Sequence, residues 1–413
     1  MLALGDIALL AVTWPLWIPQ TEFPQIPLIA IAGQLPRSVE WMLLAVLLAS
    51  LGVMLFVEGN GVVRWASLMV GLSTLGLVCI DQHRLQPWAW QFVILSFVLA
   101  TANVSTARSC WQWLVIGIYF WSAWSKMDQG FCVGHGRFLL DGFCKAIGFI
   151  RGTEFWPEAV RWSVTAAIPV FELLIAFGLS WQRTRGGAVI GAAIMHIALL
   201  MALGPFGHGH RPGVLIWNVF FLVQNWWLFH RTGRVQHDVA GIPQSGVNPI
   251  GNSFSRLVVF AAMFWPSLES FELCDHWPAW AVYAAKPERV TVFVHATELA
   301  KLPVNLKQYL EDQQILDEWH PLRIDRWSLD TVYSPIYPQD RFQVGVALGL
   351  VSNLELNQIR VVIAGPANRW TGKRAVHEYI GLESVNTLAD SFRCGARPRL
   401  KTFSTVTVLY RLR

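Results

Sequence analysis

The sequence predicts an all-α polytopic membrane helix bundle of about eight or nine transmembrane helices, followed by a small α+β domain outside the membrane. Three observations predict it. First, 54% of the 413 residues are hydrophobic and only 14% are charged, against about 25% charged in ordinary soluble domains. Second, the charge is uneven: residues 1–270 hold 27 of the 59 Asp, Glu, Lys and Arg, and residues 271–413 hold the other 32. The charged share rises from roughly 10% to roughly 22% across that boundary. Third, many of the 22 Trp stand at segment ends (Trp14, Trp17, Trp41, Trp65, Trp88, Trp90, Trp111, Trp113, Trp226, Trp227), where amphipathic rings sit at headgroup level. Collagen-like, disordered acidic and small disulfide-scaffold classes are excluded.

Crossing a bilayer core takes about 20 apolar residues. Spans are predicted near 5–19, 39–57, 63–80, 87–104, 109–126, 158–180, 187–206, 212–230 and 254–268. The first contains Pro15 and Pro19 and lacks the basic residues of a signal peptide, so a retained helix or a start codon placed late is expected. If that segment enters from the cytoplasm, Arg64, Arg108, Arg183, Arg185, Arg231, Arg234 and Arg256 fall on the cytoplasmic side. Only Arg37, Arg84 and Arg211 lie opposite, outside the long 127–157 loop. This bias places the tail outside the cytoplasm and the protein in the cell membrane. Residues 130–150 mix Gly, Phe and single charges and predict a re-entrant or surface-lying helix. Residues 232–252 have the chemistry of a linker.

In the tail, 271–413, the segments Arg289–His295, Gln358–Ala364 and Thr402–Tyr410 predict strands. Asn305–Trp319, Gln339–Ser352 and Ala375–Asp390 have helical spacing. Net charge is +5 with no basic run, so nucleic acid is not an expected partner. The six cysteines form no C-x-x-C pair. Disulfides between Cys132 and Cys144 or between Cys274 and Cys394 stay open, and either would favour an oxidising compartment.

Ionisable groups inside spans cost about 2.5–3.5 kcal/mol on insertion scales, so each is a functional candidate. Lys126 closes a span, either snorkelling beside Asp128 or lining a pocket under the 130–150 segment. Glu172 sits too deep to snorkel and is expected to pair inside the bundle, for structure or for function. His196 is read first as a hydrogen-bonded bundle residue and second as a pocket group. Gly187 and Gly191 have the spacing of close helix packing. Asp81 and Arg84 are expected to pair with each other or with lipid headgroups. His208 and His210 lack an adjacent third ligand and read as an interfacial turn, not a metal site. Cys274-Asp275-His276 is not a known metal spacing. No G-x-S-x-G, H-E-x-x-H, P-loop or dinucleotide glycine motif occurs.

Three segments carry a family likeness: Tyr119–Phe131 (YFWSAWSKMDQGF), Asp81–Gln91 (DQHRLQPWAWQ), and the His196 helix with its LGPFGHG turn. Over roughly residues 1–270 the chain resembles the bacterial horizontally transferred transmembrane (HTTM) domain proteins, relatives of vitamin K-dependent gamma-carboxylase. The resemblance implies that Lys126 is the base that deprotonates a hydroquinone, whose oxygenation drives carboxylation of glutamate, and that His196 is a second polar group in the pocket. A desolvated lysine in its neutral form suits that role. The sequence departs from the family at Trp88, where the carboxylase has a histidine. The tail is also too short to imply propeptide binding, and it lacks the paired cysteines of relatives with a thiol–disulfide oxidoreductase domain.

The leading expectation is therefore an integral membrane protein that binds a hydrophobic small molecule, a quinone or a lipid, near Lys126. Glu172, Asp81, Arg84, Trp124 and Tyr119 are expected to line the site, and Lys126 and His196 to carry any lyase or oxidoreductase chemistry. The alternative is a non-catalytic scaffold whose tail binds a cell-envelope partner. A third reading, a transporter with Glu172 and His196 as proton relay, finds no inverted repeat.

Overall fold

The computed structural model describes residues 1–149, 152–230, 249–311 and 318–399. It is mostly helical. In chain order the longer bundle helices are α1 (Leu2–Val12), α2 (Arg37–Phe56), α3 (Asn60–Ile80), α4 (Pro87–Thr101), α5 (Val104–Lys126), α6 (His135–Ala146), α7 (Glu158–Ser180), α8 (Arg185–Leu203), α9 (Pro212–Asn225) and α10 (Pro249–Phe264). Five helical stretches among the described residues are long and apolar enough to cross a membrane: α2, α3, α7, α8, and α9 extended to Phe229. The predicted first span is not one helix. Thr13 ends α1, and Trp14-Pro15-Leu16-Trp17 forms a separate turn, as a proline that pre-sets the start of a new helix requires.

Helices α2 to α5 run up and down with short connections, and α7, α8 and α9 do the same. Short loops force antiparallel neighbours. Their ends fall into two sets. At one end the Arg64 guanidinium donates to Ala102 O (2.9 Å) and Arg108 to Leu228 O (3.0 Å). At the other, the Asp81–Arg84 turn and the start of α2 meet the tail. The 130–150 segment folds as two short helices, Gln129–Val133 and α6, and α6 packs on α8. Of the two glycines expected at a close helix contact, Gly191 makes one and Gly187 does not, and Gly178 adds another. Gly178 stands against Ala188 and Gly191 against Phe171 and Ile175, while Gly187 faces open space.

The tail contains a four-stranded antiparallel sheet in the order β2-β1-β3-β4, with β1 at Arg289–His295, β2 at Trp319–Leu322, β3 at Ile359–Ala364 and β4 at Val376–Ile380. Helix α11 (Ile324–Thr331), α12 (Asp340–Leu354) and α13 (Leu382–Ser391) complete it. Val292 pairs with both Leu322 and Val361, so the inward valines of β1 and β3 form one buried face on which α12 packs. Two sequence expectations change here. The helix expected over 375–390 is a strand followed by a helix, because Val376–Ile380 completes the ladder on β3 and Gly381, at φ 82°, turns the chain between them. The helix expected over 305–319 is only Val304–Lys307 among the described residues, and Trp319 enters β2. The strand expected at 402–410 lies outside the described residues.

Candidate functional site

One face of α5 carries Tyr119, Ser122 and Lys126 at helical spacings of three and four, so the three line up one above another. All three are buried. Lys126 does not reach the interface as a snorkelling lysine would. Its Nζ donates to Ser122 Oγ (2.5 Å) and pairs with Glu172 Oε2 on α7 (2.8 Å). Each side chain of the pair is only 8% exposed, so two opposite charges neutralise each other where neither would be tolerated alone.

One and two turns from Lys126 lies an uncharged line. Asn225 Nδ2 donates to the Tyr119 hydroxyl (2.6 Å), which stands 2.6 Å from His196 Nε2, and His196 Nδ1 stands 2.7 Å from Asn218 Oδ1. The amide fixes the order of protons. A phenol that accepts from Asn225 donates to Nε2, which leaves the histidine proton on Nδ1 for the Asn218 oxygen. His196 is also stacked on Phe221, with ring centroids 5.0 Å apart.

The pair shares one cavity, of about 80 Å³, with Tyr119, His196 and Asn218 of the line. Leu139, Ile168, Leu199, Val214 and Trp217 supply apolar wall, and Trp280, Val282 and Tyr283 of the tail close it. Trp280 and Tyr283 both adopt left-handed backbone, at φ 62° and 59°, an arrangement that costs bulky residues roughly 1–3 kcal/mol each. The strained closure belongs to the segment that bridges the bundle and the sheet.

No family model, curated protein or solved structure matches this chain. Of the residues singled out in the sequence, Tyr119, Lys126, Glu172 and His196 come together at the cavity. Trp124 does not. It lies off the Tyr119–Ser122–Lys126 face, 39% exposed, with the Arg369 guanidinium 4.7 Å from its ring centroid.

Asp81 and Arg84 do not line the cavity either, and they do not form the expected pair or meet lipid headgroups. Arg84 is fully buried. It pairs with Glu40 and donates from Nε to Leu16 O (2.9 Å) and from Nη2 to Ile18 O (3.2 Å). Glu40 also accepts from Gln25 (2.7 Å) and from Arg399 of the tail (2.7 Å). The Asp81 carboxylate instead accepts from the His83 and Ile26 amides, at 3.1 and 3.4 Å. Burial pushes Asp81 up to about 7 against the pull of Arg84, and burial holds His83 down at about 4. His83 Nε2 lies 2.8 Å from Pro335 O, and Gln82 Oε1 accepts from Arg341 Nε (2.9 Å). This turn is a socket for the tail. It is polar because both of its faces are covered by protein whose carbonyls and amides need partners.

Around the tail's entry, Asp275 pairs with Arg341 and accepts from the Tyr337 hydroxyl (2.6 Å). His276 stands between two carboxylates, Glu269 at 3.0 Å and Glu288 at 3.1 Å. Burial works against its charged form, but the hydrogen bonds to Glu269 and Glu288 override it and raise His276 to about 9. All six cysteines are free thiols. No group of metal-ligating side chains that would hold an ion occurs among the described residues. His208 instead stacks on Phe138, with centroids 3.8 Å apart, and bonds its carbonyl.

Ser122, Asn218, Asn225 and Glu40 were not among the expected site residues. Asn218 and Asn225 were findable, since each is an amide inside an apolar helix, and they stand seven apart on one face. Glu40 was findable as an acid at the start of a span.

Proposed function

We propose that this chain is an integral membrane protein of the HTTM and gamma-carboxylase-like group that holds a hydrophobic small molecule, a quinone or a lipid, in the cavity beside Lys126. The observation that carries this reading is the lysine–glutamate pair in the wall of a mostly apolar intrabundle cavity. Few polar groups placed precisely in a mostly apolar concavity are the general form of a small-molecule site.

The donor set fits an oxygen-bearing head group. Lys126 and Ser122 offer donors, Glu172 a proton acceptor, and the neutral His196–Tyr119 line a second polar wall. A quinone would supply redox chemistry when bound. The protein's own part is to exchange one proton at the Lys126–Glu172 pair while the apolar wall keeps water away. Because the pair holds Lys126 as an ion pair, Glu172 is the acceptor that a bound hydroxyl meets first. The cavity is smaller than the roughly 300 Å³ at which sites for drug-sized ligands begin. A substituted ring therefore enters only if the Trp280–Tyr283 closure moves.

Thermal unfolding of the detergent-purified protein with ubiquinone-1 tests this reading. A ligand that binds only the folded protein raises the midpoint. The midpoint is expected to rise in the wild type and stay fixed in Leu199→Phe, which fills the cavity. A rise of equal size in both would refute the site.

The tail's place outside the cytoplasm is part of the same proposal. Cys394 is exposed on the tail, so a membrane-impermeant maleimide should label it in intact spheroplasts. Labelling only after lysis would reverse the orientation.

A second reading, a scaffold whose tail binds a cell-envelope partner, is favoured by β4. This edge strand is exposed along most of its length, with Val376 at 63% and Ile380 at 56%, and an exposed edge is a template for an added strand. Val376→Pro would abolish partner capture under this reading and leave ligand binding intact.

A further inference from the structure

A second concavity lies away from the Lys126 cavity, between α5 and α10. It is an open groove of about 460 Å³. One end is polar, lined by Ser105, Ser109 and Arg256, and the rest is apolar, with Trp113, Phe260 and Phe264. Both helices start at the polar end, where the Asn103 amide donates to Asn252 Oδ1 (2.9 Å) and Thr101 bonds Ser255 (2.7 Å). Eight residues separate Arg256 from Phe264 and Ser105 from Trp113, so the groove runs about 12 Å along the helices from its polar end to its apolar end. That is the direction a chain takes from headgroup level toward the bilayer centre.

Charge decides the occupant. No acidic side chain lines the groove. Arg64, Arg108 and Arg185, at the same end of the bundle, are each tied to a backbone carbonyl at 2.9, 3.0 and 3.1 Å. Arg256 instead stands exposed at the groove's polar end, with Ser109 one turn into α5 beside it. The groove thus offers a guanidinium and a hydroxyl at one end and aromatic wall below, the profile of an anionic amphiphile. A guanidinium binds phosphate oxygens in a fixed fork. The arginine-rich end is also the one expected to face the cytoplasm, whose leaflet carries the anionic lipids.

We infer that this groove is a binding site for a single anionic phospholipid, with its phosphodiester on Arg256 and Ser109 and one acyl chain along Trp113, Phe260 and Phe264. The inference is independent of the reading of the Lys126 cavity.

Native mass spectrometry of the full chain, titrated in detergent with palmitoyl-oleoyl phosphatidylglycerol and with the matching phosphatidylcholine, tests it. One phosphatidylglycerol is expected to bind in preference to phosphatidylcholine. Arg256→Gln should weaken phosphatidylglycerol at least about fivefold. Arg183→Gln, which removes an exposed charge outside the groove lining, should leave it unchanged. Met263→Trp, which narrows the apolar part, should weaken binding with no change of charge, and it keeps the test decisive if Arg256→Gln fails to fold. Equal binding of the two lipids, or the same loss in Arg183→Gln as in Arg256→Gln, would overturn the site in favour of bulk attraction to the surface.

Discussion

Lys126 and Glu172 are each other's only charged partner among the described contacts, so removing one strands the other. Lys126→Met and Glu172→Gln should each cost about 3–5 kcal/mol of stability, and the double variant should recover most of it. A denaturant series on the three proteins measures this, and a double variant no more stable than either single would show that the pair is not the cause. Tyr119→Phe removes the proton that orders His196 and should cost about 1–3 kcal/mol, read in the same series. His276 gives a pH dependence. Its folded value is raised from 6.5 to about 9, so its stabilisation is complete below 6.5 and is lost as pH rises through 9. The wild type should lose on the order of 3 kcal/mol relative to His276→Gln between those limits, seen as converging unfolding midpoints. At this scale the sequence was informative where composition forced an answer. An acid deep in an apolar helix must find a partner, and Glu172 does. It was silent on which partner, because Lys126 lies 46 residues away and only the packing of α5 on α7 joins them.

Among elements, the Asp81–Arg84 turn is the clearest case of a polar segment misread from sequence. Polarity at this junction suggested pairing within the turn or with lipid headgroups, yet the turn is buried because α2, the 16–26 segment and the tail all close on it. Nothing local distinguishes a polar turn facing water from one facing protein, since both carry the same residue types. Arg84→Met would leave Glu40 with Arg399 as its one remaining charged partner, beside Gln25, and would strip the Leu16 carbonyl of its guanidinium donor. It should destabilise by about 3–5 kcal/mol and release the tail, which limited proteolysis would detect as early cutting between 271 and 399. Uniform proteolysis in variant and wild type would show that the tail is held elsewhere. Helix positions were legible because apolar runs bounded by charges and prolines are strong signals. Val376–Ile380 was not, because pairing with β3 decides its state and a five-residue segment has too little periodicity to announce it.

For the whole molecule, the bundle and the tail are joined by the site itself. The tail's Trp280, Val282 and Tyr283 close a cavity whose charged pair comes from α5 and α7. The composition step near residue 270 falls where the helical bundle gives way to the sheet-bearing tail, but it did not reveal that the tail's first residues turn back onto the bundle. The proposed function requires that cavity to hold a hydrophobic molecule. Organic extraction of the detergent-purified protein, followed by mass spectrometry, tests it most directly, with Leu199→Phe purified alongside. One species is expected at near-stoichiometric amount in the wild type and absent from Leu199→Phe, with bulk phospholipid equal in both. An identical extract from the two proteins, containing bulk phospholipid alone, would contradict it.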